Sequence, residues 1–165
     1  MIVRYLPMIE DSVRQLARKL ITARLKATCA ESCTGGGIAA ALTSVAGSSK
    51  WFEYGFVTYA DSAKTKMLGV SEATLAEQGA VSEAVVQQMA AGALEVSGAD
   101  IAVAVSGIAG PGGGTAEKPV GLVWFCWLRR GRQPHSQSFH FTGDRMAIRE
   151  QAVEEGLKGH LQFAG

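Results

Sequence analysis

The stretch "KATCAESCTGGGIAAAL" (residues 26–42) restricts the fold more than any other part of the chain. A short apolar run ends at Ser32, glycines follow at Gly35, Gly36 and Gly37, and Ile38 to Leu42 resumes with helical character. A strand, a glycine turn and a helix in direct succession form the unit of an α/β sheet, in which glycine lets the helix start close against the strand. Backbone N–H groups of Cys33 to Gly36 would face anything bound above the turn, with the helix dipole behind them. The turn suits a bound phosphate or the oxyanion of a reacting carbonyl, and equally a Ser/Thr-rich helix cap with glycines for tight packing.

The rest of the chain supplies the remaining layers. Val13, Leu16, Ala17, Leu20 and Ile21 recur at helical spacing and predict a helix over 9–24. Another helix is expected over 35–44, and the aromatic, β-branched run 51–60 reads as a strand. A helix near Asp61 carries Lys64, and a further turn follows Ser71. Ser82 caps a helix that Gly98 stops, and Asp144 caps the last one, with Ile148, Val153, Leu157 and Leu161 as its apolar contacts. "DIAVAVSGIAG", "PVGLVWFCWLRR" and "SQSFHFTG" read as three more strands.

Connection lengths set the strand directions. Helices separate the first three strands, which favours right-handed parallel crossovers. A Gly/Pro loop without helical pattern joins the third strand to the fourth, and "RRGRQP" makes a hairpin to the fifth, so the fourth runs antiparallel. The expected fold is a three-layer α/β/α sandwich around a mixed, mostly parallel five-stranded sheet of order 2-1-3-4-5, one domain over residues 1–165. Ligands in such sheets bind at the carboxyl ends of the strands, where the chain order reverses. Ser32–Gly37, Tyr59–Lys64 and Ser106–Gly114 should meet there.

Composition narrows the function classes. A net charge of +1 gives no field to gather nucleic acid or an anionic membrane. No stretch reaches transmembrane length, and the opening residues lack a basic and apolar leader pattern. Three cysteines, Cys29, Cys33 and Cys126, fit a reducing cytoplasm. His135, His140 and His160 lie far from Cys29 and Cys33, so no metal site is expected.

Ser32 and Cys33 are alternative nucleophiles, and Thr34, Gly35 and Gly36 complete their turn. Lys64 desolvated near Tyr59 can act as a base, or stand as a solvated lysine on a helix face. The loop through Gly112, Gly113 and Gly114 can wrap a ligand with backbone donors or remain a surface loop. Arg145, with Arg149 one turn on, can hold an anion, or serve as the charged first turn of a helix. Gly35-x-Gly37-x-x-Ala40 also matches a dinucleotide fingerprint, with Asp61 placed as a ribose-binding acid.

"AESCTGG", "FVTYADSAKTKMLGV", "GAVSEAVVQQMAAGAL", "GADIAVAVSGIAGPGGGTAEKPVG" and "FTGDRMAIREQAVEEGL" together resemble the C-terminal domain family of the competence- and damage-inducible protein CinA, over residues 9–162. The resemblance implies deamidation of nicotinamide mononucleotide to nicotinic acid mononucleotide and ammonia, in the stand-alone form without the family's N-terminal domain. It places the nucleophile on Ser32 and its partners on Tyr59 and Lys64. Cys33, Thr34, Gly35, Gly36, Ser106, Gly112, Gly113, Gly114 and Arg145 become candidate substrate contacts, with no cofactor or metal. Tyr54 stands where many members carry arginine, Asp61 replaces a frequent asparagine, and Ser106 a usual threonine. A homo-oligomer, dimer or trimer, is expected. A catalytically silent nucleotide-binding module and a nicotinamide-dinucleotide oxidoreductase are the alternatives.

Overall fold

A computed structural model describes residues 7–165. The first six residues, and with them part of the expected leader-free start and of the 1–165 domain, lie outside the described residues. Along the chain come α1 (Pro7–Ala23), β1 (Ala27–Glu31), α2 (Gly37–Leu42), a 3-10 turn (Ser48–Lys50), β2 (Phe52–Val57), α3 (Asp61–Leu68) and α4 (Glu72–Gln78). They are followed by α5 (Glu83–Ser97), β3 (Ile101–Gly107), β4 (Leu122–Arg129), β5 (His135–His140) and α6 (Arg145–Phe163). The sheet order is β2-β1-β3-β4-β5. β1 runs parallel to β2 and β3, and β4 runs antiparallel to both its neighbours, as the connection lengths predict.

Period-two alternation divides the sheet into two unlike faces. Val103, Val105, Phe125 and Trp127 point to the face covered by α1, α2 and α6. Ala30, Ala102, Ala104 and Cys126 point to the other, under α3 and α5, with Leu75 of α4 packed at its margin. Small side chains there let α5 lie close to the strands. Gly92 extends this economy of space, because a Cβ on it would stand 1.9 Å from the backbone oxygen of Leu68 at the end of α3. On the first face, Gly159 leaves room for the Trp127 indole, whose Nε1 donates to Gly156 O at 2.9 Å.

The expected caps form. Ser71, Ser82 and Asp144 accept from the amides of Thr74, Val85 and Ala147, and left-handed Gly98 ends α5. Two elements are shorter than expected. α2 begins only at Gly37, since Gly35 (φ 58°) and Gly36 (φ 99°) are left-handed and belong to the turn. β2 ends at Val57, and Thr58–Ala60 lead into α3.

Two measurements probe this packing. Gly92→Ala should cost about 1–3 kcal/mol or more in urea unfolding, because the new methyl meets backbone rather than a side chain that can rotate. His160 is buried, neither ring nitrogen has a partner among the described residues, and burial pushes its pKa down to about 3. Between that value and the ordinary 6.5 the unfolded chain takes a proton that the native one refuses. Stability should therefore fall as pH drops through this window, with a slope of up to about 1.4 kcal/mol per unit. His160→Leu should flatten the slope measured by denaturant unfolding between pH 7 and pH 4.5.

Candidate active site

β1 carries the site's foundation. Its last residue, Glu31, is fully buried, and its strand end is held on both sides by Thr58 N to Glu31 O and Ser32 N to Val105 O. Glu31 Oε1 accepts from Thr34 Oγ1 at 2.6 Å and Ile38 N at 2.8 Å, while Oε2 accepts from Ala39 N at 2.9 Å. A desolvated carboxylate is tolerable when strong donors surround it in this way. Arg149 of α6 grips the same turn from the other side, donating from Nε to Cys33 O and from Nη2 to Thr34 O, each at 3.1 Å.

These contacts correct four expectations. The Ile38 and Ala39 amides at the start of α2 are taken by Glu31, and Gly35 N donates to Ser32 O. Only Cys33, Thr34 and Gly36 keep amides without a protein acceptor among the described residues. Arg149 spends Nε and Nη2 on carbonyls and is not among the residues that line the cleft described below. The dinucleotide fingerprint fails for the same reason: a carboxylate sits where a pyrophosphate would need the helix amides. Thr34 donates its hydroxyl to Glu31 and does not cap the helix.

Lys64 approaches Ser32 from the opposite side of the sheet. It is 1% exposed, and its Nζ donates to Ser32 Oγ (3.2 Å), Thr58 O (3.0 Å) and Tyr59 O (3.2 Å). Burial pushes its pKa below the ordinary 10.5, and the Asp61 carboxylate, 3.7 Å away, pushes part of the way back. Tyr59 meets Lys64 through its carbonyl, not its phenol. The phenol is exposed and accepts from Arg145 Nη2 at 3.0 Å, while Arg145 Nη1 donates to Gly110 O at 2.7 Å. The described hydrogen bonds thus join lysine directly to serine, and the Tyr59 hydroxyl takes no part in them.

A cleft of about 220 Å³ opens above this pair. Of the residues expected from the sequence, Ser32, Cys33, Tyr59, Lys64, Ser106 and Arg145 line it. Thr34 lies beneath the turn, Gly35 and Gly36 on its outer side, and Gly112, Gly113 and Gly114 are exposed in the loop beyond the lining. Asp61, Ala80, Val81, Gly107 and Ala109 also line it. Asp61 had a signal in its three-residue spacing from Lys64, whereas Ala80 and Val81, short apolar residues in a loop, had none. The Cys33 thiol is buried and its pKa is pushed up to about 11, so it stays protonated at neutral pH. A larger depression of about 460 Å³, lined by Arg18, Lys19, Thr22 and Arg129, shares no residue with this cleft. Among the described residues no three His, Cys, Asp or Glu side chains gather as a metal would require, and no helix is long and apolar enough to cross a membrane.

Fold and site define an α/β sandwich with a serine–lysine pair over its strand ends. A family model, the CinA C-terminal domain, matches residues 9–163, and the chain belongs to that family. It is 57% identical over 135 residues to the nicotinamide-nucleotide amidohydrolase PncC of Enterobacter agglomerans, 82% of each chain. A CinA-like protein of Akkermansia muciniphila is 58% identical over 137 residues, which are 83% of this chain and 33% of that longer protein. Among solved structures, the competence/damage inducible protein CihA from Agrobacterium tumefaciens superposes with a TM-score of 0.93 at 45% identity, covering 96% of both chains.

Glu31→Gln tests the foundation. An amide NH₂ at either oxygen position would face a donor, leaving a buried polar clash worth about 1–3 kcal/mol. Denaturant unfolding should show that loss, and an unchanged midpoint would mean the turn does not depend on the carboxylate.

Proposed function

We propose that this chain is an amidohydrolase that deamidates nicotinamide mononucleotide to nicotinic acid mononucleotide and ammonia, with Ser32 as nucleophile and Lys64 as base. The observation that carries the reading is the buried Lys64 amine 3.2 Å from Ser32 Oγ in a cleft. The naming of the Enterobacter agglomerans and Escherichia coli K12 relatives as nicotinamide-nucleotide amidohydrolases, 57% and 55% identical, supports the substrate.

The geometry suits the chemistry in a specific way. A neutral amine has two hydrogens and one lone pair. With its hydrogens on Thr58 O and Tyr59 O, the lone pair of Lys64 is left for the Ser32 hydroxyl proton. Ser32 Oγ then attacks the carboxamide carbon while Lys64 takes the proton, and the unengaged amides of Cys33 and Thr34 are the donors available to the oxyanion. Lysine returns the proton to the leaving nitrogen as the C–N bond breaks, which releases ammonia and leaves an acyl-serine. A water attacks the ester carbon as its proton passes to Lys64, and Lys64 returns that proton to Ser32 Oγ as the acyl C–O bond breaks, which releases the acid and restores the free serine. No step uses a metal or cofactor.

Arg145 suits the 5′-phosphate better than the glycine loop does, since it lines the cleft and Gly112–Gly114 do not. Ala80, Val81 and Ala109 offer the pyridine ring an apolar wall, and the Ser106 hydroxyl a polar contact. We retain a cytoplasmic, homo-oligomeric enzyme as the setting.

Ammonia release from nicotinamide mononucleotide by the purified protein tests the reading, and binding without release would make the chain a silent nucleotide module. Ser32→Ala should lower kcat by about a thousandfold or more while the ligand still binds. Cys33→Ala should stay within a few-fold of wild type; a dead Cys33→Ala beside an active Ser32→Ala would make the thiol the nucleophile. Because the neutral lysine is the active form, kcat/KM should rise with pH through the lowered pKa of Lys64. Lys64→Met should abolish both activity and that limb, and Lys64→Arg should not restore them, since guanidinium stays protonated. Chelators should have no effect.

A further inference from the structure

Lys64 sits among groups that pull its proton in opposite directions, and one of them lies outside the machinery described above. Asp61 is the first residue of α3, three positions before Lys64, so both side chains fall on one face of the helix. Its Oδ1 stands 3.7 Å from Lys64 Nζ, and its side chain is 61% exposed at the edge of the cleft. It is the one carboxylate within ion-pair distance of that amine among the described residues. The other three contacts of the amine are neutral oxygens.

We propose that Asp61 is a positioning residue that sets the pH above which Lys64 can accept the Ser32 proton: its carboxylate holds the ammonium form until the solution is alkaline enough to release it. Among the other titratable groups facing Lys64, Cys33 of the β1–α2 turn pulls in the same direction as Asp61 but more weakly, and as a thiol pushed up to about 11 it is neutral at pH 7. Tyr59 directs its phenol to Arg145, and Arg145 itself, on α6, is bonded to that phenol and to Gly110 O at the rim of the cleft. The loop before α5 contributes only Ala80 and Val81 to the cleft, and Val85 and Met89 of α5 are apolar. Glu31 spends its oxygens on Thr34, Ile38 and Ala39 beneath the turn.

Two opposing influences therefore act on the lysine. Burial favours the neutral form, which is useful for catalysis; Asp61 opposes it. The opposition has a chemical return, since a base of higher proton affinity withdraws the serine proton more completely once it is neutral. The exposure of Asp61 lets solvent screen its charge, so burial outweighs it and the amine stays below its ordinary value. The consequence for turnover rests on the base role given to Lys64; the effect on its proton affinity does not.

The test separates the two. Lysine labelled with ¹³C at Cε is titrated by NMR in the whole chain, with the Lys64 signal assigned by its loss in Lys64→Met. Asp61→Asn should lower the Lys64 midpoint by about one unit, equivalent to a tenfold change in the neutral fraction at pH values below it. Asp61→Glu should hold the wild-type midpoint to within a few tenths of a unit, and high salt should move the wild type toward Asp61→Asn. In the ammonia assay the rising limb of kcat/KM should shift by the same amount, with no gain on the alkaline plateau. A lowered plateau with an unmoved midpoint would make Asp61 merely structural and overturn the inference. If the NMR midpoint shifts but no variant releases ammonia, the amidohydrolase reading fails and the Asp61–Lys64 coupling stands.

Discussion

The Glu31 carboxylate governs what the end of β1 can do. A parallel sheet ordinarily delivers a helix N-terminus to its crevice, and that N-terminus attracts anions. Here the chain supplies its own anion. With Ile38 N, Ala39 N and Thr34 Oγ1 all donating to a buried carboxylate, the first turn of α2 becomes a fixed support instead of a binding surface. Arg149 adds the opposite charge over the Cys33 and Thr34 carbonyls. The turn is clamped between acid and base, each of which would be costly to leave unpaired in a dry environment. Ser32 consequently owes its position to the sheet and to α6, not to a mobile loop.

Lys64 is the counterpart on the far side of the strand ends. Its burial keeps the amine poorly solvated, while three oxygens fix its direction. Cys33, next to Ser32, experiences the same burial with the reverse result: a thiol is neutral before it loses its proton and a lysine after, so desolvation holds the thiol protonated and favours the amine without its proton. Cys33 on the β1–α2 turn and Lys64 on α3 are thus sorted chemically by the burial they share.

Much of this architecture was legible in the chain. Alternating apolar strands and helix-length connections lead to the sheet order, and Ser71, Ser82, Gly98 and Asp144 mark helix ends because capping is local chemistry. Ser32 and Lys64 were visible as types at strand ends, and the family resemblance supplied their pairing. Contacts across long sequence distances were not legible. Tyr59 and Arg145 are 86 residues apart, and nothing near either one says that the phenol turns to the guanidinium while the carbonyl turns to Lys64. Glu31 carries no signal of its own in the sequence; its role emerges only when α2 starts two residues later than its pattern implies, because Gly35 and Gly36 are left-handed.

The two unlike faces of the sheet explain why such a site can be rigid and still open. The face with bulky Phe125 and Trp127 anchors α2 and α6, hence Glu31 and Arg149, the supports of Ser32. The alanine-lined face draws α5 in close, and Gly92 lets α5 seat against the end of α3, the helix that carries Lys64. Ser32 and Lys64 are therefore held from opposite layers and meet at the strand ends. Packing on each face fixes one partner, and the sheet between them fixes the 3.2 Å that separates the partners. Arg145 alone crosses the mouth, bonded to Tyr59 on one side and Gly110 on the other. Its long side chain can change partners without disturbing either layer, so adaptability is confined to the rim while Ser32 and Lys64 stay fixed.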